Sequence, residues 1–230
     1  GELLHFIDDQ QIAMMEALSA PQGYMDGRFL ALTFNMLRGK DLIWSTVVKN
    51  YLLGEDYPAF DLLHWNGDVT NLPAKWHRNY VIDLYRDNRL VKPDDLSALG
   101  TPIDLRRVKT ATYIQAGRED HIAPAESVWK LQEHFSGPVK FLLAGSGHIA
   151  GVVNPPAQMK YQYWTNEGTA VSLEEFIDRA AETKGSWWPD WLVWLLDKGD
   201  DKVPAKGSRI PGEGTLKALE SAPGSYVKAR

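Results

Sequence analysis

Cysteine is absent from the 230 residues. No disulfide, thiolate metal site or cysteine nucleophile can come from within the chain. Long apolar runs are missing too. Nowhere do eighteen apolar residues follow one another, so no bilayer-spanning helix is expected. The start, Gly1-Glu2-Leu3-Leu4, has neither the basic region nor the cleavage-like site of a secretory signal. It also lacks Met and reads as the interior of a longer chain. No charge of one sign dominates: 25 Lys and Arg against 30 Asp and Glu give −5, with a pI near 5.7. That balance gives no reason to expect nucleic acid or an anionic membrane as partner. There is no internal repeat, no G-x-G-x-x-G and no P-loop, and no metal-ligand spacing stands out. A reducing cytoplasm is the expected compartment.

What is present fits a globular chain of one large domain or two small ones, with 44% hydrophobic and 24% charged residues. Residues 1–107 read as helices and loops. Leu42, Ile43, Val47, Val48, Tyr51 and Leu52 share one helical face, with Asp41 placed to cap it. Val81, Ile82, Leu84 and Tyr85 suggest another helix before Pro93, and Trp65-Asn66-Gly67-Asp68 marks a turn between the two. Residues 108–197 change character. A β-prone run at 110–115 leads into a loop, Pro124 opens a helix, Gly137-Pro138 stops it, and 139–143 form a second strand. Strand, helix and strand make one βαβ unit with parallel strands. Further on, Ser172-Leu173-Glu174-Glu175 is a capping box, and Trp187 to Leu195 follow helical spacing. Five of the nine tryptophans (164, 187, 188, 191 and 194) lie here, and core packing is the reading preferred for them. Residues 198–230, rich in Gly, Pro, Lys and Asp, read as an extended tail.

Asp120 follows the first strand and His148 the second. In open α/β sheets, reactive groups collect at such carboxyl ends. The separation of 28 residues (148 − 120) leaves room for one crossover helix between neighbouring strands. An aspartate beside a histidine fixes the imidazole tautomer and stabilises its charged form. The order acid-then-histidine is that of α/β-hydrolases, whose nucleophile comes earlier. Gly145 and Gly147 allow a sharp turn that presents the ring.

Longer motifs surround the pair. Arg118-Glu119-Asp120-His121-Ile122-Ala123-Pro124 resembles the acid loop of polyhydroxyalkanoate synthases. Gly145-Ser146-Gly147-His148-Ile149-Ala150-Gly151-Val152-Val153-Asn154-Pro155-Pro156 is similar to their histidine loop. The stretches 60–68, Thr70-Asn71-Leu72-Pro73, Gly185 to Trp191 and Ala222 to Arg230 match as well, in family order. Ala125 departs from the pattern, since many relatives carry Trp there. The likeness covers the later part of a synthase, without the G-x-C-x-G elbow.

The resemblance implies an α/β fold, specifically a partial α/β-hydrolase fold. Residues 1–107 would be a helical cap, 108–197 the C-terminal part of the core, and 198–230 the tail. It implies an acyltransferase that joins (R)-3-hydroxyacyl units from coenzyme A thioesters into a polyester and needs no cofactor. His148 would activate the cysteine. Asp120 would orient His148, or also help deprotonate the attacking hydroxyl. His121 is a weaker candidate, for substrate binding. A homodimer and the surface of a polymer granule are the implied associations. The alternatives are a non-catalytic relative that pairs with a synthase or sits on polymer granules, and a fragment of another hydrolase such as an esterase. With only two core strands and a cap, the chain is expected to expose a sheet edge and a broad apolar surface.

Overall fold

Asp8 starts the first helix. Its carboxylate accepts from the Gln11 amide at 2.8 Å and the Gln11 side chain reaches back to the Asp8 amide, a reciprocal cap. The computed structural model describes residues 4, 7–37, 39–56, 69–199 and 201–228. Two compact units divide the chain: Gly1–Ile114 with Glu126–Lys140, and Gln115–Ala125 with Phe141–Arg230.

In the first unit, α1 (Asp9–Ser19) is followed by a short β1 (Tyr24–Met25) and α2 (Gly27–Leu37). Helical segments at Lys40–Trp44 and Val47–Leu52 come next. They are wound wider than an α-helix: the Leu53 amide reaches the Val48 carbonyl, five residues back. Asp41 lies inside this helical stretch rather than ahead of it, because Gly39 already has helical dihedrals. The turn expected at Trp65-Asn66 falls outside the described residues. β2 (Leu72–Pro73) pairs antiparallel with β1, and α3 (Ala74–Asn79) runs into another wide segment, Tyr80–Arg86. The Asn71 side-chain oxygen accepts from the Gly27 amide at 3.0 Å, at the start of α2. Arg78 pairs with Glu16, and Arg86 with Asp9 at 2.8 Å, between partners distant in sequence. His77 is buried, which holds its ring below the ordinary histidine range. A tight hairpin of β3 (Leu96–Ala98) and β4 (Thr101–Ile103) turns on Leu99 and Gly100, both at positive φ.

The main sheet has the order β5-β6-β7-β8. β5 is Thr112–Gly117, two residues later than the sequence suggests, and β6 is Val139–Ala144. The Thr112 amide bonds the Pro138 carbonyl and the Arg118 amide bonds the Ala144 carbonyl. The constant offset makes the two strands parallel, as expected for a βαβ unit. The helix between them, α4 (Ala125–Trp129), starts right after Pro124 and tightens over Lys130–Glu133. Ala125 is buried, so a larger residue there would need a different surround.

Two further strands were not foreseen. β7 (Gln162–Thr165) pairs antiparallel with β6, and β8 (Ala181–Lys184) antiparallel with β7, so the sheet is mixed and four-stranded. Phe141, Leu142, Leu143 and Ala144 are all buried, an unbroken run that fits a strand covered on both faces. β8 is exposed along its whole length and carries Glu182 and Lys184, charges that discourage pairing with another chain. Between β7 and β8, α5 (Leu173–Arg179) packs Phe176 edge-on against Phe141 at 5.1 Å. Ser172 caps α5 by accepting from the Glu175 amide at 3.1 Å. The reciprocal arm of the box lands one residue early, with the Glu175 carboxylate accepting from the Val171 amide. The last helix, α6 (Trp188–Leu196), has Pro189 in its first turn. The tryptophans divide: Trp164 and Trp187 are buried, whereas Trp191 is exposed, as are Leu192, Val193 and Leu196. Among residues 201–228 only short turns occur, at Gly207–Arg209 and Ser225–Lys228.

Gly137 marks where the segments before β5 and β6 meet. A Cβ there would lie 2.5 Å from the Lys109 carbonyl oxygen and 2.6 Å from that of Thr110. Backbone cannot yield as a side-chain tip can. Gly137→Ala is expected to cost about 1–3 kcal/mol, the usual range for overpacking. Gly39→Ala, with open space around it, should cost nothing. Urea unfolding of both variants checks this, and equal midpoints would remove the steric argument.

Candidate active site

The two carboxyl ends of β5 and β6 are laced together by backbone. Beyond the Arg118–Ala144 bond, the Glu119 amide donates to the Ser146 carbonyl at 3.2 Å, and the Gly145 amide ties the end of β6 to the start of β7 through the Gln162 carbonyl at 2.7 Å. The loops are too close for side chains at several points. A Cβ on Gly117 would stand 3.1 Å from that of Asp120, and one on Gly151 would stand 2.7 Å from the Gly147 carbonyl oxygen. Ser146 adopts φ 78°, a left-handed conformation that is costly outside glycine. The histidine loop is therefore held in a strained turn as it leaves the strand.

In this frame the imidazole Nδ1 of His148 lies 2.8 Å from Asp120 Oδ2. The other carboxylate oxygen, Oδ1, accepts from the amides of Ile122 and Ala123, each at 2.9 Å. Asp120 thus closes the turn into α4 while facing the ring. Its side chain is 7% exposed, against 46% for His148. An ionised carboxylate at Nδ1 requires the proton on Nδ1 and leaves the Nε2 lone pair free. The arrangement can therefore accept a proton at Nε2 and stabilise the cation that results. His121, next in the chain, is exposed and does not join the pair. The two amides on Asp120 were not foreseen. A backbone donor leaves no trace in residue type, apart from the Pro124 that forces the turn.

Burial works to raise the Asp120 pKa. The Ala123 amide, the His148 ring and the Ile122 amide outweigh it, and the net direction is downward. Folded Asp120 therefore titrates below the unfolded aspartate value of about 3.9. Its stabilisation is complete above that value and is lost as pH falls through the folded one. Asp120→Asn is expected to be less stable than the parent at pH 7, with the gap narrowing below about pH 4. Parallel stability curves in urea between pH 7 and pH 3 would mean that the ionised carboxylate does not hold these loops.

No protein-family model matches the chain. Curated proteins do. The chain is 47% identical, over all its 230 residues, to the poly(3-hydroxyalkanoate) polymerase subunit PhaC of Rhizobium meliloti (strain 1021), of which it covers 37%. It is 46% identical to the poly(3-hydroxyalkanoate) polymerase of Methylorubrum extorquens, covering 38% of that protein. The chain matches the C-terminal part of poly(3-hydroxyalkanoate) polymerases. The PhaC subunit of Cupriavidus necator is similar in the same way, at 41% identity and 40% of its length. The chain thus spans well under half the length of these polymerases. The resemblance carried by the two loops points to the same proteins as the whole-length comparison. Among the described residues, no helix is long and apolar enough to cross a membrane.

Proposed function

We propose that this chain supplies the acid and base of a poly(3-hydroxyalkanoate) polymerase, an acyltransferase with a Cys-His-Asp triad whose cysteine lies outside these 230 residues. The observation that carries the proposal is the 2.8 Å contact between His148 and Asp120 at the ends of two parallel strands. In this reading His148 Nε2 takes the proton from the cysteine, and the thiolate attacks the carbonyl carbon of an (R)-3-hydroxyacyl-coenzyme A. The carbon–sulfur bond to coenzyme A breaks, and the departing thiolate takes the proton back from His148. A 3-hydroxyl then gives its proton to His148 as its oxygen attacks the acyl-cysteine; the ester forms as the carbon–sulfur bond to the cysteine breaks, and His148 returns the proton to the freed sulfur.

The surroundings of Asp120 favour orientation over a second role as base. Three donors already occupy its oxygens, and its lowered pKa makes it a poor proton acceptor. His121, exposed beside it, is the weaker candidate for meeting substrate in this reading. The parallel β5–β6 pair supports an α/β-hydrolase core over 108–197; in this reading residues 1–107 are the cap and 198–230 the tail. A cytoplasmic homodimer working at the granule surface completes the proposal.

The test is coenzyme A release from 3-hydroxybutyryl-coenzyme A by the chain alone and by the chain joined to the upstream part of the R. meliloti polymerase. The chain alone is expected to release none. The joined protein is expected to release it continuously and to stop when its thiols are alkylated. Turnover by the isolated chain, or by a joined protein stripped of every cysteine, would overturn the proposal.

A further inference from the structure

The turn that carries His148 is a single helical coil. The Gly151 amide donates to the Gly147 carbonyl at 2.8 Å, spanning His148, and the Val153 amide donates to Ile149 at 2.8 Å. A one-turn coil has no following turn to satisfy its last carbonyls. Here two indoles do so. Trp187 Nε1 donates to the Gly151 carbonyl at 2.9 Å and to that of Val152 at 3.2 Å, and Trp188 Nε1 donates to Val152 at 3.0 Å. The Asn154 amide reaches the same Val152 carbonyl only at 3.2 Å.

The indoles are themselves anchored. Gly185, at φ 97°, donates its amide to the Tyr161 carbonyl at 2.9 Å, beside the start of β7. The hydroxyl of buried Ser186 accepts from the Trp188 amide at 3.1 Å and so fixes the first turn of α6. Trp187 is buried and leans on Trp191 with ring centroids 5.8 Å apart.

We propose that Trp187 and Trp188 are positioning residues for His148, their indole N–H groups fixing the backbone of the coil that presents the imidazole. The proposal rests on the reading of His148 as the base. Core packing alone would need the rings and not their donors, and both donors converge on the histidine coil. Only Ile149 and Ala150 separate His148 from Gly151, and the Gly151–Gly147 bond closes around all three. Movement of the Gly151 peptide therefore moves the ring.

Phenylalanine keeps an aromatic ring and removes the donor. In the joined polymerase, Trp187→Phe, Trp188→Phe and the double variant are each expected to lower kcat. The double variant should lose about 10- to 100-fold, the usual size for a reacting group displaced by an ångström. KM should stay within about twofold, because substrate contacts are untouched. The low-field proton resonance of His148 Nδ1–H should broaden and exchange faster in proportion, with Asp120→Asn as the control that removes it. If the half-exposed Trp188→Phe variant and Trp187→Phe keep parental kcat and an unchanged resonance, the proposal is overturned. It is overturned equally if kcat falls only with the folded fraction while the resonance of folded protein is unaltered. Those results leave the triad intact, provided His148→Gln is inactive. Full activity of His148→Gln would instead remove the triad and this proposal together.

Discussion

Asp120→Asn in the joined polymerase is expected to lower kcat by about 10⁴-fold, the size seen when a triad carboxylate becomes an amide and the histidine takes the wrong tautomer. The variant is nearly isosteric, so the strand ends stay in place. The amide group still has an oxygen able to accept from Ile122 and Ala123, as Oδ1 does now at 2.9 Å. What remains facing His148 is then the NH₂. It donates to Nδ1, pushes the ring proton to Nε2, and blocks the one atom that must accept a proton. Substrate binding is not touched, so KM should change little. A wild-type kcat in this variant would show that the 2.8 Å contact is structural only. A milder fall that follows stability would point the same way, since the loss should persist at temperatures where both proteins are folded.

The pair was legible in the sequence because topology placed it. Once 110–115 and 139–143 read as strands with one helix between them, their following loops had to lie side by side. The unbroken run at Phe141 to Ala144 made β6 plain, since a strand buried on both faces needs no alternation. β8 carried the opposite pattern: Ala181, Glu182, Thr183 and Lys184 are all exposed, so no buried face betrayed it. β7 is four residues long, and its Trp164 read more readily as part of the tryptophan cluster. The wide helical windings at Val47–Leu52 and Tyr80–Arg86 lie beyond a periodicity argument, because apolar spacing fits a 3.6-residue repeat almost as well. Side-chain donors to backbone were the other blind spot. Trp187 looked like core filler, and it is buried, yet its nitrogen reaches a loop 36 residues back. Residue type announces burial; it does not announce which carbonyl an indole will find.

His148→Gln separates the steps of the reaction that Asp120→Asn affects together. Loss of a general base costs about 10²- to 10⁴-fold, and the size should differ between the two halves of the cycle. A thiol with a pKa of about 8.5 is already about a tenth ionised at pH 7.5. The cysteine of the joined polymerase can therefore still attack, and the departing coenzyme A, also a thiolate, needs little acid help. One equivalent of coenzyme A should appear slowly, at a rate that climbs roughly tenfold per pH unit and levels off above pH 8.5. Chain growth has no such escape. The attacking 3-hydroxyl ionises far outside this range, so without Nε2 its proton has no acceptor: Asp120 is engaged by its amides and only 7% exposed. The variant is thus expected to acylate once and stall, with no polymer at any pH. Rapid quench with labelled 3-hydroxybutyryl-coenzyme A would distinguish the phases. Polymer formation by His148→Gln that recovers at pH 9 would assign the hydroxyl's proton to another group and leave His148 serving the cysteine alone.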